Sequence, residues 1–338
     1  YTSCLYSASL RGYLDIVQDV LEKGADINAT RDDYGNALQA AAYMGEWEIV
    51  KFLVEKGADI NAQGGRSDNA LQAAAYRQEW EIVKFLVENG ADVNAGGGRY
   101  DNTLQAAAYR KEWEIVKFFV ENGTDVSAQG SEHGNALQAD TFEGELDIVK
   151  LLIEKDADVN DQNRPYDNAL QAAAFFRELE IVKFLVEKGA HVNAQCGYYG
   201  NALQVAARWG NLEIVKFLVE KGANVNAQGG YFGNALQAAA SEQDSKIVKF
   251  LIEKGANVNA QGGEFGNALQ VAAFLGKLKT VKFLVEKGAD VNAQGGEYGN
   301  ALQAAAYSEE LEIVKFLVQK GADVNAQGGI YGTAMQAA

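Results

Sequence analysis

Residues 36–68 read NALQAAAYMGEWEIVKFLVEKGADINAQGGRSD, and this stretch decides the fold because the rest of the chain repeats it. Asn36 is a good helix N-cap. Gln39 stands three residues on, where its side chain can return a hydrogen bond to the cap N–H, as in a capping box. Ala40, Ala41 and Ala42 favour helix and let a neighbouring helix come close. A short turn is expected around Gly45, then a second helix from about Glu46 to Lys56. Its apolar set (Trp47, Ile49, Val50, Phe52, Leu53, Val54) wraps enough of the helix to be packed by both neighbours. Gly57 suits the left-handed C′ position that ends a helix. Asp59 to Asp68 then reads as an extended loop turning at Gly64-Gly65.

The unit recurs every 33 residues with no insertion or deletion: Gly-Ala-Asp or a near variant starts at Gly24, Gly57, Gly90, Gly123, Asp156, Gly189, Gly222, Gly255, Gly288 and Gly321. A strict period of that size predicts a solenoid in which each unit packs on its neighbours. Such a chain offers a long surface rather than one enclosed pocket. One continuous domain over residues 1–338 is therefore expected, truncated within a repeat at both ends, since Leu5 stands in the column of Leu38 and Ala338 lies about one turn into another helix. The last helix pair, roughly 300 to 320, should then leave an apolar face open, and the chain reads as a piece of a longer protein.

Composition narrows the partners. The net charge is -16, from 30 basic and 46 acidic residues. Such a surface repels nucleic acid phosphates and anionic lipid. Cys4 and Cys196 sit in different columns of the repeat and form no disulfide framework, which suits a reducing compartment. No apolar run approaches the length of a membrane span, and the opening residues do not resemble a signal peptide.

Helix, turn, helix, Gly-Ala-Asp-Val-Asn-Ala and hairpin loop at this period resemble the ankyrin repeat along the whole chain, as about ten helix pairs and a stub. The family's Thr-Pro-Leu-His signature stands here as Asn-Ala-Leu-Gln, for example Asn69 to Gln72 and Asn234 to Gln237. One cap replaces another, and Ala replaces Pro at the first helical position. The resemblance implies an all-α solenoid of helix-turn-helix units joined by β-hairpin-like loops. It also implies a partner surface, the concave groove lined by loop tips and first helices, that grips a protein or peptide. The Tyr-Gly-Asn-Ala-Leu-Gln wording and the near-identity of the units resemble, more narrowly, the ankyrin arrays of fungal NACHT-type receptor-like proteins. That implies the recognition segment of a cytoplasmic receptor, monomeric within a larger chain. The alternative is a structural spacer or autoinhibitory scaffold that holds neighbouring domains through its ends or second helices.

Chemistry is hard to find. His133 and His191 are the only histidines, and neither has a Cys or second His at ligand spacing. No Ser, His and Asp set suggests a triad. The Gly-Gly pairs recur in most units and precede no Gly-Lys-Ser/Thr, so they read as turn glycines rather than phosphate loops. The carboxylate columns, such as Glu48, Glu81 and Glu114, read as solvated helix faces. No enzymatic activity, metal, cofactor or small-molecule substrate is expected.

Comparing the repeats with one another separates scaffold from surface. Asn36, Leu38, Gln39, Ile49, Val50, Lys51 and Phe52 hardly change between units. Three columns change freely: the loop tip (Asp33, Arg66, Arg99, Glu132, Pro165, Tyr198, Tyr231, Glu264, Glu297, Ile330), the end of the first helix (the column of Met44) and its neighbour (the column of Gly45). Within them Arg66, Arg77, Arg99, Arg110 and Lys111, with Tyr76 and Tyr109 alongside, predict a basic strip suited to an acidic segment. Phe176, Tyr198, Trp209 and Tyr231, with Arg208, predict an aromatic group of the kind that anchors interfaces.

The almost constantly aromatic column of Tyr34, Tyr199, Phe232 and Tyr298 is assigned to packing of one loop on the next. The column of Trp47, Trp80 and Trp113 becomes Leu146 and Leu179 and is assigned to the core. The column of Asn28, Asn61, Asn94 and Asn193 is expected to brace the loop by side-chain hydrogen bonds, and the resemblance also makes it a candidate for asparaginyl hydroxylation. Asp140 and Asp156 break the pattern, so the stack should be weakest around residues 139 to 161. Residues 241 to 246 lack the usual aromatic and the Trp/Leu anchor.

Overall fold

The computed structural model describes residues 2–31, 35–65, 68–97, 102–110, 112–128, 135–162, 168–242 and 245–338, and only the backbone of Thr2, Tyr109, Ala139, Asp140, Phe142 and Glu143. Twenty-one helices lie among the described residues, in pairs that follow the sequence period. In the repeat quoted above they are Ala37–Met44 and Trp47–Glu55. The chain divides into two compact units, Tyr1–Asp158 and, for the most part, Tyr166–Ala338, the second also holding Val159–Gln162.

The capping box forms as expected. Asn36 has extended backbone, its Oδ1 accepts from the Gln39 N–H at 2.9 Å, and Gln39 Oε1 accepts from the Asn36 N–H at 2.7 Å. The side chain also does something that the sequence did not announce. Gln39 Nε2 donates to the carbonyls of Ala62 and Asp68 at 2.7 and 2.9 Å, in the loop that enters the following repeat. In the second unit Gln237 reaches Gly262 and Gly266 at 2.8 and 2.7 Å, and Gln270 reaches Gly295 and Gly299 at 2.8 Å each. These glutamines are buried, and each satisfies backbone carbonyls that are half-buried or, at Gly266 and Gly299, buried.

A second ladder runs along the asparagine column. Asn61 Oδ1 accepts from the Asp92 N–H at 2.8 Å, and its Nδ2 donates to the Gly90 carbonyl at 3.1 Å. Asn226 and Asn259 repeat the pattern on the next Gly and on Asn257 or Asp290. The bracing is therefore between repeats rather than within one loop. It closes the exposed carbonyls of C′ glycines such as Gly90, Gly255 and Gly288.

The core is narrow and regular. The alanines of the first helix are buried, and so are Ile49, Val50 and Leu53 of the second, with their equivalents in the inner repeats. First helices pack on first helices more extensively than second helices on second helices. Alanine makes the difference, because only small side chains let helix backbones come this close. Trp47 and Trp80 correct the expectation of a core column. Both are half-buried and stand edge-on to the phenylalanine of the next second helix, Trp47 to Phe85 at 5.2 Å and Trp80 to Phe118 at 5.1 Å. The open apolar face is present where expected: Leu311 is 60% exposed and Val318 is 44% exposed.

The loops differ from a full hairpin. Among the described residues they carry single antiparallel bridges, such as Gly229 to Gly233 and Gly262 to Gly266, and no strand.

Two turn positions carry strain. Gly57 takes φ +86, the left-handed C′ conformation, and Asp156 is forced to φ +66 at the same position. The column of Gly45 is also left-handed, which exposure alone did not reveal. Gly45 has φ +77, whereas Gln78, Arg177 and Glu309 hold φ +68, +69 and +58 there. A side chain in this region costs about 1 kcal/mol or more. Arg177→Gly should therefore raise unfolding stability by about 1 kcal/mol, less the added freedom of the unfolded chain, measured by urea denaturation. In the irregular repeat Thr141 is fully buried, and its hydroxyl donates to the Leu137 carbonyl at 2.6 Å, a polar group where every other repeat except the first, with Ser9, has alanine. The Asp140 side chain lies outside the described residues.

Candidate protein-interaction face

In the second unit the loop tips are bonded to one another. The N–H of Tyr231 donates to the Tyr198 carbonyl at 2.8 Å, Glu264 to Tyr231 at 3.0 Å, Glu297 to Glu264 at 2.9 Å and Ile330 to Glu297 at 2.9 Å. The second glycine of each Gly-Gly pair allows this. Gly263 has φ +64, and a Cβ there would fall inside the backbone of Phe232 and Gly233 in the preceding loop. The turn is thus a point of close backbone approach as well as of unusual φ.

Below the tips lies the constant aromatic column, and it packs as the sequence suggested. Phe232 stacks on Phe265 with centroids 6.0 Å apart, Phe265 on Tyr298 at 6.1 Å and Tyr298 on Tyr331 at 6.4 Å. Rings from the first-helix ends close against it, Phe274 on Tyr298 and Tyr307 on Tyr331, each at 4.6 Å. Phe232 and Phe265 are buried. The tip and helix-end rings are left half-buried or exposed.

The predicted aromatic group comes together. Tyr198 is 59% exposed and stacks on Tyr231 at 4.9 Å. Trp209 meets Phe175 at 4.7 Å and Tyr199 at 6.3 Å, and Phe176 meets Phe175 at 4.7 Å. Arg208 lies over Trp209 at 5.0 Å and over Phe232 at 5.4 Å, and its guanidinium pairs with Glu242 at 2.6 Å. Phe175, Tyr199 and Glu242 were not among the expected members. Tyr199 was hidden by its almost constantly aromatic column, and Phe175 stands in a mostly aromatic column that also holds Arg208 and Ser241; both join the variable residues to each other.

The basic strip is described in part. Arg77 lies over the Tyr43 ring at 5.1 Å and Arg110 over the Tyr76 ring at 4.9 Å, each arginine covering the tyrosine of the preceding repeat. Arg110 Nε is buried by this stacking, so the side chain is held rather than freely solvated. Arg66, Arg99, Lys111 and the Tyr109 side chain lie outside the described residues, as do the tips Asp33, Glu132 and Pro165.

Comparison with family models finds ankyrin repeats in overlapping three-copy matches that together run from residue 5 to residue 328. The chain belongs to the ankyrin repeat family. Ankyrin repeats are generally protein–protein interaction modules. No curated protein matches this chain. In this ankyrin array the Asn-Ala-Leu-Gln signature keeps the cap and adds the bridge of Gln237 and its equivalents to the next loop. Among the described residues no helix is long and apolar enough to cross a membrane.

Tyr198, Tyr231, Tyr298 and Tyr331 titrate late. Burial, then the Glu264 charge, raises Tyr198, and the same causes push Tyr231 up to about 12 from the ordinary 10.0. A hydrogen bond to Tyr307 is the main cause that pushes Tyr331 up to about 12. The folded state keeps these protons where the unfolded chain releases them, so stability should fall as pH rises from 10.0 towards 12. Tyrosinate absorbance near 295 nm should show this late step, and Tyr231→Phe should remove part of it.

Proposed function

We propose that the chain is a non-catalytic protein-interaction module that binds a protein or peptide along its loop tips and first-helix ends. The observation that carries this reading is the exposed Tyr198–Tyr231 stack, continuous with Trp209 through Tyr199. Large aromatic side chains held rigid by their neighbours bind at low entropic cost, and that is what anchors interfaces. The stacked Arg77 and Arg110 support a second contact area in the first unit, for an acidic segment. The unbroken 33-residue period supports treating residues 1–338 as one array. The Tyr-Gly-Asn-Ala-Leu-Gln wording supports a place in a NACHT-type receptor of the cytoplasm, monomeric within a larger chain. The charge of -16 argues against nucleic acid and anionic membrane as partners.

Selection of binders from a random peptide library tests the reading. Peptides enriched on the wild-type chain should lose at least tenfold in affinity on the Tyr198→Ala/Tyr231→Ala variant. They should keep it on Lys216→Glu/Lys249→Glu, which alters the second helices. Equal melting of the three proteins excludes a folding effect. Peptides that depend only on the second helices would overturn the proposal.

A further inference from the structure

The turn into the second helix reads Glu-Trp-Glu in three consecutive repeats: Glu46-Trp47-Glu48, Glu79-Trp80-Glu81 and Glu112-Trp113-Glu114. Later repeats carry leucine in place of the tryptophan, at Leu146, Leu179 and Leu212. The same helix start therefore forms without an indole. The three tryptophans are half-buried, and the rings of Trp47 and Trp80 are fixed edge-on to Phe85 and Phe118.

Between the first two of these turns lies an open cleft of about 510 Å³, lined by Gly45, Trp47, Glu79, Trp80, Glu81 and Ile82. Two indoles and a buried isoleucine give it apolar walls, and two carboxylates give it charge, the usual make-up of a ligand cleft. Gly45 brings one carboxylate in. A Cβ on that glycine would fall 2.5 Å from Glu79 Oε1, so only its absence lets the Glu79 side chain lie against the preceding turn. Among the described residues neither Glu79 nor Glu81 has an ion-pair partner. Each second helix adds about half a positive charge at its start, and its first-turn glutamate outweighs it.

The nearby cations are engaged elsewhere or show what the walls can hold. Arg77 and Arg110 lie over Tyr43 and Tyr76 of the preceding repeats. Lys84 Nζ lies over the Trp80 ring at 4.3 Å, an ammonium held on one of these indoles by the ring quadrupole. Among the described residues no cation lies over the Trp47 ring. A guanidinium suits that place better than an ammonium, because it can stack flat on an indole while its N–H fork points at carboxylates.

We propose that the cleft between Trp47 and Trp80 takes an arginine side chain of a partner protein, its plane on the Trp47 indole and its N–H groups on Glu79 and Glu81. No loop tip lines this cleft, so the site is additional to the face described above.

The test titrates N-acetyl-arginine amide into the whole chain and follows the indole N–H signals of the four tryptophans by nuclear magnetic resonance, assigned with single Trp→Phe variants. The Trp47 and Trp80 signals should shift along one binding curve. The citrulline derivative, which has a similar shape without the charge, should bind at least fivefold more weakly. Glu79→Gln/Glu81→Gln should weaken arginine at least fivefold. Trp47→Leu places there the residue of the later repeats and should weaken it as much while melting like the wild type. Glu220→Gln/Glu286→Gln removes the same charge from exposed second-helix positions, and Tyr198→Ala/Tyr231→Ala removes the tip rings. Both should leave binding within twofold. Unmoved Trp47 and Trp80 signals, equal binding of citrulline, or equal loss in the two glutamate pairs would overturn the inference. The library selection addresses the loop tips alone, so either proposal can fail while the other stands.

Discussion

Gly263→Ala should destabilise the second unit by about 3 kcal/mol, two or more times the cost of Gly255→Ala. Both glycines have left-handed φ, +64 and +89, so both substitutions carry the same conformational penalty of roughly 1–2 kcal/mol. They differ in what surrounds them. A Cβ at Gly255 meets nothing within 4 Å, whereas one at Gly263 enters the backbone of Phe232 and Gly233. Backbone cannot rotate away as a long side chain can. The loops must separate, which lengthens the Glu264 to Tyr231 bond, now 3.0 Å, and loosens the Phe232–Phe265 stack below it. Urea unfolding of the two variants measures the difference, and hydrogen exchange at the Glu264 amide locates it. Equal costs would mean that the tips do not rest on one another.

Gln237→Ala is expected to cost about 2–3 kcal/mol. The side chain is fully buried, and its Nε2 serves the carbonyls of Gly262 and Gly266. Gly266 keeps a second donor, the Gly262 N–H at 2.7 Å. Gly262, which is half-buried, loses its side-chain partner, and the loss of two hydrogen bonds to backbone, each about 1 kcal/mol, with the space left by the side chain makes up the expected cost. The neighbouring cap provides the scale. Asn234→Ala removes one N-cap bond, that from the Gln237 N–H at 2.9 Å, and should cost about 1 kcal/mol. Thermal melts of the two variants order them. If Asn234 mattered more than Gln237, the signature would serve to start helices rather than to tie repeats together.

Both predictions concern contacts between repeats, and that is where the sequence was hardest to read. Within one unit it was legible. Asn36 and Gln39 announced a capping box, Gly57 a left-handed end, and Ile49, Val50 and Leu53 a buried stripe, because each is a local rule acting over a few residues. The reach of Gln39 Nε2 to Ala62 and Asp68 depends on where the next loop lies, which no local rule supplies. The same holds for Gly263. It reads as a turn glycine in isolation and becomes a point of contact only when the preceding loop is in place.

The candidate face shows the same limit. Variation between columns picked out Tyr198, Trp209 and Tyr231, because freedom to vary requires exposure. It passed over Tyr199, whose column is almost constantly aromatic because it packs, and Phe175, whose column is mostly aromatic but also holds Arg208 and Ser241, yet both hold the exposed rings in one cluster. Arg208 was recognised as a companion, but its restraint by Glu242 was not, since the two stand 34 residues apart. The Gly45 column misled in the opposite sense. Its variety suggested free surface, whereas Gln78, Arg177 and Glu309 occupy a backbone conformation that favours glycine.

Hydrogen exchange on the chain with and without a selected peptide tests the central claim most directly. Binding on the face proposed here should slow exchange at the tips 198–199, 231–232 and 264–265 and at the first-helix ends around 175–176 and 208–209. The second helices Leu212–Glu220 and Lys246–Glu253 should be unchanged. Protection confined to those second helices, with the tips unaffected, would contradict the account and favour a scaffold whose partners hold it from behind.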